Sequence, residues 1–213
     1  MPVLYTNGKR GYAEQIRLMF HEAGIKFDEK VVDEADFAKT GKLIFNKLPM
    51  LDWDGFTLCE SAAILEHVAV KADEQGSGRG NTYLGGNEDE RSLARSLAYG
   101  ANQLRRQLYE QYLDMGPKQN QSAFTQTTLP AWLSHLNKLA VTTESDDLGL
   151  GPGVNFTFGD VAMFDALDQV VTVFGESVLA DYRELKAYFD RCATRPRFRM
   201  FLANRPERAT SAQ

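Results

Sequence analysis

The chain has 213 residues, of which 43% are hydrophobic and 25% charged. This composition is typical of a globular protein with one large core or two smaller ones, and it argues against a disordered chain. The 24 basic and 29 acidic residues give a formal net charge of −5. That balance excludes the overall positive field expected of a protein that binds nucleic acid or an anionic membrane. Small molecules and other proteins are the expected partners.

The N-terminus and the cysteines indicate a cytoplasmic protein. Residues 1–10 begin with an apolar strand, where a secretory signal would have a basic stretch and then a long apolar run. No window approaches the roughly 18 uninterrupted apolar residues of a membrane-spanning helix. Cys59 and Cys192 lack C-x-x-C spacing and are too few for a disulfide framework, which fits a reducing compartment. Because the three histidines are far apart and lack the spacing of metal ligands, we expect no metal.

The first third of the chain predicts a small α/β sandwich. Apolar residues recur at helical spacing from Ile16 to Ala23, and an Asp-Gly pair at 54–55 joins two short apolar runs, which is a strong hairpin signal. Two strands joined through a helix, followed by an antiparallel hairpin and another helix, resemble the thioredoxin-like arrangement. The predicted elements are a strand that begins at Val3 and Leu4 and stops at the turn-rich segment 7–11, helix 16–23, strand 26–32, an irregular or weakly helical segment 33–47, strands 50–53 and 56–58, and helix 62–72.

The second half of the chain predicts a helical domain. Residues 74–87 contain five glycines and little apolar periodicity, which places a domain boundary there. Helices are predicted downstream over 88–115, 120–141, 160–174 and 183–203. The predicted fold class is therefore α/β plus all-α, divided into a thioredoxin-like domain at 1–74, a linker at 75–87, an all-helical domain at 88–205 and a tail at 206–213.

Thr157 predicts where one of these helices begins. Asp160 follows three residues later and opens an apolar run. The Thr157 hydroxyl and the Asp160 carboxylate can each bond the backbone N–H of the other residue. This spacing predicts a capping box with a structural role.

The stretch LPMLDWDGFTLCES, residues 48–61, leads from a proline to a helix start. A helix N-terminus has unpaired N–H groups and about half a positive charge, so Ser61 and the first backbone amides can bind an anion. The alternative is that Glu60 or Ser61 caps the helix itself. Pro49 cannot donate to a strand ladder. If the Leu48–Pro49 bond is cis, the backbone of Leu48 turns outward and can pair with a peptide-like ligand.

Three stretches carry a resemblance to a known family. They are LYTNGKRGYAEQIR near the N-terminus, NKLPMLDWDGFTLCESAAIL around the proline, and FTFGDVAMFDAL in the helical half. In this order, separated by a glycine-rich linker, they resemble the cytosolic glutathione S-transferases, most closely the tyrosine-dependent alpha, mu, pi and sigma-type classes. The resemblance runs from about residue 3 to about residue 205.

The resemblance implies that glutathione binds in the first domain. Ser61 and its N–H would hold the γ-glutamyl carboxylate, and Glu60 would lie near the α-amino group. Leu48, before an expected cis-Pro49, would pair with the cysteinyl backbone. Phe37 stands where sigma-like relatives have an aromatic residue. A lysine would bind the glycyl carboxylate, and the candidates are Lys42, Lys39 and Lys47. From the residues alone, each lysine is as readily a solvated surface charge.

Tyr5, at the end of the first predicted strand, is the catalytic residue that the resemblance implies. A free thiol has a pKa of about 8.5, so little of it is thiolate at neutral pH, and the thiolate is the nucleophile. The Tyr5 hydroxyl would donate a hydrogen bond to the sulfur anion while remaining protonated. From the residues alone, a tyrosine at a strand end more often serves packing. Glutathione is the co-substrate, and no cofactor is implied.

Other positions extend the family pattern or depart from it. The loop after Tyr5 reads as one residue longer than usual, and Tyr12 stands where many relatives have an arginine close to the sulfur. Tyr12 and Tyr99 would line the pocket for the electrophile. Tyr99 also stands where relatives have an aspartate that contacts the glutathione bound to the neighbouring subunit. Phe45 matches an aromatic residue that inserts into a partner subunit in some classes. A homodimer is therefore implied.

The resemblance implies one principal function and two alternatives. The principal one is a detoxifying glutathione transferase that conjugates the thiolate to hydrophobic electrophiles, with glutathione peroxidase activity as a side reaction. The alternatives are a sigma-like, glutathione-dependent prostaglandin isomerase and a non-catalytic carrier of glutathione or another ligand. Tyr5, the Leu48–Pro49 pair and the Glu60–Ser61 pair occur together, which favours an enzyme over a carrier.

Overall fold

A computed structural model describes residues 1–76, 82–114, 118–140, 149–150 and 155–210, with the backbone alone at 118–120. Its first part is a four-stranded sheet in the order β2-β1-β3-β4, with β1 and β2 parallel and the other pairs antiparallel. This is the predicted α/β sandwich. The elements are β1 Val3–Thr6, α1 Glu14–Ala23, β2 Asp28–Val31, α2 Glu34–Ala38, β3 Met50–Trp53, β4 Phe56–Cys59 and α3 Ser61–Glu74.

The hairpin signal at Asp54–Gly55 is confirmed, and two neighbouring elements agree with the prediction. Asp54 and Gly55 both have positive φ, at 53° and 87°, which the two-residue turn between β3 and β4 requires. The segment 33–47, predicted as irregular or weakly helical, contains the short helix α2, whose first turn is capped by the Asp33 side chain. β1 ends at Thr6, directly before the turn-rich segment 7–11 at which the predicted strand stops.

The remainder of the described chain is helical, as predicted. The continuous helices expected over 88–115 and 120–141 are interrupted by π-helical turns at Tyr109–Leu113 and Phe124–Thr128. α4 and α7 pack closely, since a Cβ on Gly159 would overlap the carbonyl oxygen of Ala94. The helices are α4 Glu88–Leu108, α5 Lys118–Ala123, α6 Leu129–Leu139, α7 Phe158–Phe174, α8 Arg183–Thr194 and α9 Pro196–Asn204.

The predicted domain division stays a prediction. α3 ends at Glu74 and α4 begins at Glu88, while residues 77–81 of the predicted linker and 211–213 of the predicted tail lie outside the described residues. A single large apolar core runs from the inner side of the sheet through α1 and α3 into α4 and α7. Among the described residues, no helix is both long and apolar enough to span a membrane.

Side chains alternate along β1, and this alternation decides which groups reach which side of the sheet. Leu4 and Thr6 are buried, and Leu4 belongs to the large core beneath α1 and α3. Tyr5 points to the opposite side, where it joins a small apolar cluster with Met50 and Phe37. The rings of Tyr5 and Phe37 are stacked, with centroids 4.9 Å apart.

The predicted capping box is present at the start of α7. The Thr157 N–H donates to Asp160 Oδ2 at 2.8 Å, and the Thr157 hydroxyl lies 2.9 Å from the same oxygen. We expect Thr157→Ala to lower the free energy of unfolding by about 1 kcal/mol, because the helix loses its N-terminal cap. Urea denaturation of the variant measures this loss. Thr127→Ala, at an exposed position, is the control, and equal midpoints for both variants would contradict the role of the cap.

Candidate active site

A cavity of about 1250 Å³ lies between the sheet and α4. It is large enough for a tripeptide together with a second small molecule, given the 300–1000 Å³ or so of ordinary ligand pockets. Its walls come from the loop after β1, the segment leading into α2, the Leu48–Pro49 turn, the start of α3 and one side of α4. The lining residues are Asn7, Lys9, Tyr12, Val32, Asp33, Glu34, Ala35, Lys47, Leu48, Pro49, Glu60, Ser61, Tyr99, Asn102, Gln103 and Arg106.

One side of α4 supplies a whole wall of this cavity. Tyr99, Asn102, Gln103 and Arg106 are spaced i, i+3, i+4 and i+7, which places them on one face of a helix. Three of these four side chains are amides or a guanidinium, so this wall offers hydrogen-bond donors to a ligand. Of these four residues, only Tyr99 is predicted from the sequence. The polar i, i+3, i+4, i+7 spacing was the available signal.

The start of α3 presents free backbone N–H groups to the cavity. Glu60 has φ 72° and ψ 115°, a conformation that non-glycine residues adopt uncommonly. Among the described residues, no side-chain hydrogen bond caps the helix, so self-capping by Glu60 or Ser61, the alternative left open by the sequence, is not observed. The Ser61 hydroxyl instead accepts a hydrogen bond from Asn102 Nδ2 at 3.1 Å. This end of a fourteen-residue helix therefore retains its capacity for an anion.

The Leu48–Pro49 peptide bond is cis. The Leu48 N–H donates to Glu34 Oε2 at 2.9 Å, and Lys47 Nζ lies 3.2 Å from Glu34 Oε1. A ligand that pairs with the Leu48 N–H must therefore replace the Glu34 carboxylate. Glu34 was not identified from the sequence, because it is fourteen residues away and reaches Leu48 only through the fold.

Behind the α4 wall, Arg105 joins three helices. Its guanidinium is fully buried and donates to Asp165 in α7, to Gln15 Oε1 in α1 at 2.7 Å, and to Asn102 Oδ1 at 2.8 Å. Gln15 Nε2 also donates to Asn102 Oδ1, at 3.0 Å. Because the Asn102 oxygen is fixed from two sides, its amide nitrogen is aimed at Ser61. These hydrogen bonds therefore fix the position of the α4 wall relative to the start of α3.

Tyr12 lies in a 3₁₀ turn, Gly11–Ala13, that leads into α1. Its ring makes an edge-to-face contact with the ring of Tyr109, with centroids 5.6 Å apart, and the guanidinium of Arg105 lies 5.9 Å from the Tyr12 ring centroid. Burial raises the pKa of the Tyr12 hydroxyl above its ordinary value, so it is protonated at neutral pH. Within the described part of the chain, no hydrogen bond to this hydroxyl is formed, and the oxygen is not among the buried, unpartnered ones.

Seven of the ten predicted site residues line this one cavity, namely Leu48, Pro49, Glu60, Ser61, Lys47, Tyr12 and Tyr99. Tyr5, Phe37 and Lys42 do not. Tyr5 and Phe37 stack on each other on the α2 side of the sheet, in a small apolar cluster that also includes Leu48. The predicted role of Tyr5 stays a prediction. Lys42 is exposed and lies outside the cavity lining.

Two family models match the chain. A model described as glutathione S-transferase, N-terminal domain, matches residues 2–70, and one described as glutathione S-transferase, C-terminal domain, matches residues 101–205. Together they match well over half of the sequence. Among the described residues, no group of three or more histidine, cysteine, aspartate or glutamate side chains is arranged to hold a metal ion.

Individual relatives extend over nearly the whole chain. Glutathione S-transferase P 10 of Caenorhabditis elegans is 29% identical over 210 residues, covering 96% of this chain and 92% of the relative. The structure of the Onchocerca volvulus Pi-class glutathione S-transferase is similar with a TM-score of 0.77 at 25% identity, covering 96% of this chain and 93% of its own. Prostaglandin synthase D of Nilaparvata lugens shares the fold, with a TM-score of 0.77 at 19% identity over 97% and 99% of the two chains.

Removing the acidic partner of Arg105 tests the network behind the cavity. Asp165→Ala leaves a fully buried guanidinium without its carboxylate, so we expect the free energy of unfolding to fall by about 3–5 kcal/mol. Urea denaturation measures the loss. Asp190→Ala breaks the half-exposed Lys186–Asp190 pair and should cost less than about 1 kcal/mol. Similar losses in the two variants would contradict the importance of the buried pair.

Proposed function

Because the chain belongs to the glutathione S-transferase family, we propose that it is an enzyme that joins the glutathione thiolate to an electrophilic carbon. The observation that carries this proposal is the meeting of the Leu48–Pro49 turn and the uncapped start of α3 in one cavity. An extended peptide backbone and a terminal carboxylate are the groups that such an arrangement binds. Glutathione has both, and it is a co-substrate in this proposal, with no further cofactor required.

The cavity suggests an orientation for glutathione. The γ-glutamyl carboxylate binds the first N–H groups of α3 and the Ser61 hydroxyl, and the Glu60 carboxylate receives the α-amino group. The cysteinyl backbone pairs with Leu48 once Glu34 has withdrawn from the Leu48 N–H. For the glycyl carboxylate, Lys47 is the favoured candidate, because it lines the cavity whereas Lys42 does not.

The chemistry follows from the state of the sulfur. A thiol bound in a site that favours the thiolate loses its proton to solvent, and the sulfur anion attacks the electrophilic carbon as the leaving group departs. The protein contributes by holding both reactants close together and by stabilising negative charge on the sulfur. No covalent intermediate with the enzyme is required.

The electrophile is proposed to bind beside α4, where Tyr12 and Tyr99 offer aromatic faces. Gln103 and Arg106 lie on the same wall and are polar, so a hydrophobic electrophile that also carries polar or anionic substituents fits this wall best. A prostaglandin isomerase would use the same thiolate. It would need an apolar wall for the acyl chains of its lipid substrate, and this polar side of α4 favours the transferase.

We further propose a cytoplasmic homodimer. Both cysteines are free and buried, which supports a reducing compartment. Phe45 is 59% exposed, and burying such a side chain in a partner would contribute roughly 2 kcal/mol. Sedimentation equilibrium should give twice the monomer mass, and Phe45→Ala should weaken the association. A strictly monomeric mass for the unmodified protein would contradict the dimer.

Retention on glutathione-agarose, followed by a conjugation assay with an aryl halide, tests the proposed function. The transferase is retained, elutes with free glutathione and forms the conjugate. Retention without conjugation selects a carrier or a narrow isomerase, and product analysis with a lipid endoperoxide separates these two. A protein that is not retained and forms no conjugate contradicts the proposal.

Ser61→Ala tests the placement of the γ-glutamyl carboxylate. We expect the Kd for glutathione, measured by calorimetry, to rise about tenfold, equivalent to about 1.4 kcal/mol, since the carboxylate loses a hydroxyl donor. Ser92→Ala, at an exposed position on α4, is the matched control. An unchanged Kd for Ser61→Ala would remove this side chain from the site.

A further inference from the structure

We propose that the hydroxyl of Tyr12 is the donor that stabilises the glutathione thiolate, in the role that the sequence analysis expected for Tyr5. The inference deepens the proposed function and depends on it, because it assigns a catalytic residue to that reaction. It rests on where the two phenols lie: Tyr12 lines the cavity shared by Leu48 and Ser61, and Tyr5 does not.

The sulfur of a bound glutathione must lie between the groups that hold its two flanking parts. With the γ-glutamyl end at Ser61 and the cysteinyl backbone at Leu48, the cysteinyl side chain extends into the cavity that these residues share with Tyr12. The Tyr12 hydroxyl has no intramolecular partner among the described residues and is not a buried, unpartnered oxygen. It is therefore available to a ligand.

The Tyr12 ring is fixed by the same network that fixes Ser61. Its face lies over Arg105 and it makes an edge-to-face contact with Tyr109, while Arg105 binds Asn102 and Asn102 binds Ser61. A hydrogen-bond donor that is already oriented costs little reorganisation when charge develops next to it. The carboxylate site and the proposed sulfur site are thus linked through a continuous set of side-chain contacts.

Two other hydroxyls near the first strand are occupied or turned away. The Thr6 hydroxyl is buried, donates to Glu29 Oε1 at 2.7 Å and accepts from the Gly8 N–H at 3.1 Å. Tyr5 packs on Phe37 at the other side of the sheet. Neither residue lines the cavity.

Two further tyrosines on or after α4 are also less suitable. The Tyr109 hydroxyl is buried and donates to Gln169 Oε1. Tyr99 lines the cavity but is 62% exposed, so a thiolate beside it would stay in contact with water, where a hydrogen bond gains little over the one that water already makes. Tyr12, which is half-buried, combines access with partial exclusion of water.

The proton balance is simple in this assignment. The glutathione S–H proton leaves to solvent, the Tyr12 O–H keeps its own proton and donates a hydrogen bond to the sulfur anion, and the anion then forms the C–S bond as the leaving group takes the electron pair of the bond that breaks. Because burial raises the pKa of Tyr12, the phenol remains a donor throughout the neutral range.

The charged groups around Tyr12 also act on a nearby thiolate. Arg105 lies beneath the ring, and Arg106 and Lys9 line the cavity, so three cations favour negative charge on sulfur. Glu110 and Asp114, beyond the end of α4, oppose them. These groups are common to the parent protein and to a Tyr12→Phe variant, so the effect of the hydroxyl can be measured separately from theirs.

Tyr12→Phe and Tyr5→Phe form a matched pair, since each removes one oxygen and leaves the ring packing in place. For both variants and the parent, calorimetry gives the Kd of glutathione, and ultraviolet difference absorbance against pH gives the pKa of the bound thiol. Conjugation of an aryl halide gives kcat/KM at about pH 6.5, roughly two units below the pKa of a free thiol.

We expect Tyr12→Phe to raise the pKa of the bound thiol by one to two units, towards about 8.5, and to lower kcat/KM by roughly ten- to a hundredfold. Its Kd should change less than about threefold, and Tyr5→Phe should match the parent in all three measurements. If Tyr5→Phe produces the loss while Tyr12→Phe does not, the inference is overturned and the transferase function stands. The inference also fails if Tyr12→Phe is slow with an unchanged thiol pKa. A parent protein that neither binds nor conjugates glutathione contradicts both proposals.

Discussion

The buried guanidinium of Arg105 is the constraint on which the candidate site depends. A fully buried cation is costly unless its charge is paired and its N–H groups are largely satisfied. The two terminal nitrogens of Arg105 bind Asp165 of α7, Gln15 of α1 and Asn102 of α4, whereas its Nε has no partner among the described residues. The amide of Asn102 is fixed as a consequence, and through it the hydroxyl of Ser61. One charged side chain thus relates the helical half of the molecule to the start of α3 in the first domain.

A second group of charges, of which Arg10 is buried and Asp168 and Arg205 are partly buried, supports the loop that carries Tyr12. Arg10 binds Asp168 of α7 at 2.6 Å, and the Arg10 N–H donates to the carbonyl of Ala209 in the C-terminal segment at 3.0 Å. Arg205 binds the same Asp168. The loop between β1 and α1 is therefore attached both to the helical half and to the C-terminal residues. Such attachment is needed where a side chain on a loop must keep a fixed position relative to a ligand.

Local sequence signals predicted the sheet, the hairpin and most helix starts. Asp54–Gly55 and the Thr157–Asp160 capping box depend only on neighbouring residues, and both are present as predicted. Tyr5 was assigned differently, because its role comes from the family resemblance and not from a local signal. In the structure it stacks on Phe37 and joins a small cluster that includes Leu48. Its neighbours in the sequence do not decide which side chain donates to the sulfur.

Three residues that contact the site only in the folded chain could not be predicted from the sequence. Asn102, Arg105 and Glu34 have no neighbouring sequence signature, because their partners are Ser61, Gln15, Asp165 and Leu48, which are 14 to 90 residues away. The Leu48–Pro49 turn, Glu60 and Ser61, which carry the family motif, line one cavity. The resemblance could not supply contacts that belong to this chain alone.

The central claim is that a bound glutathione places its sulfur beside Tyr12 and its γ-glutamyl carboxylate at the start of α3. A crystal structure of the protein with glutathione tests this most directly. The account predicts that the sulfur lies within hydrogen-bonding distance of the Tyr12 oxygen, with the carboxylate on Ser61 and Glu34 displaced from the Leu48 N–H. A sulfur beside Tyr5, or a tripeptide bound outside this cavity, would contradict it.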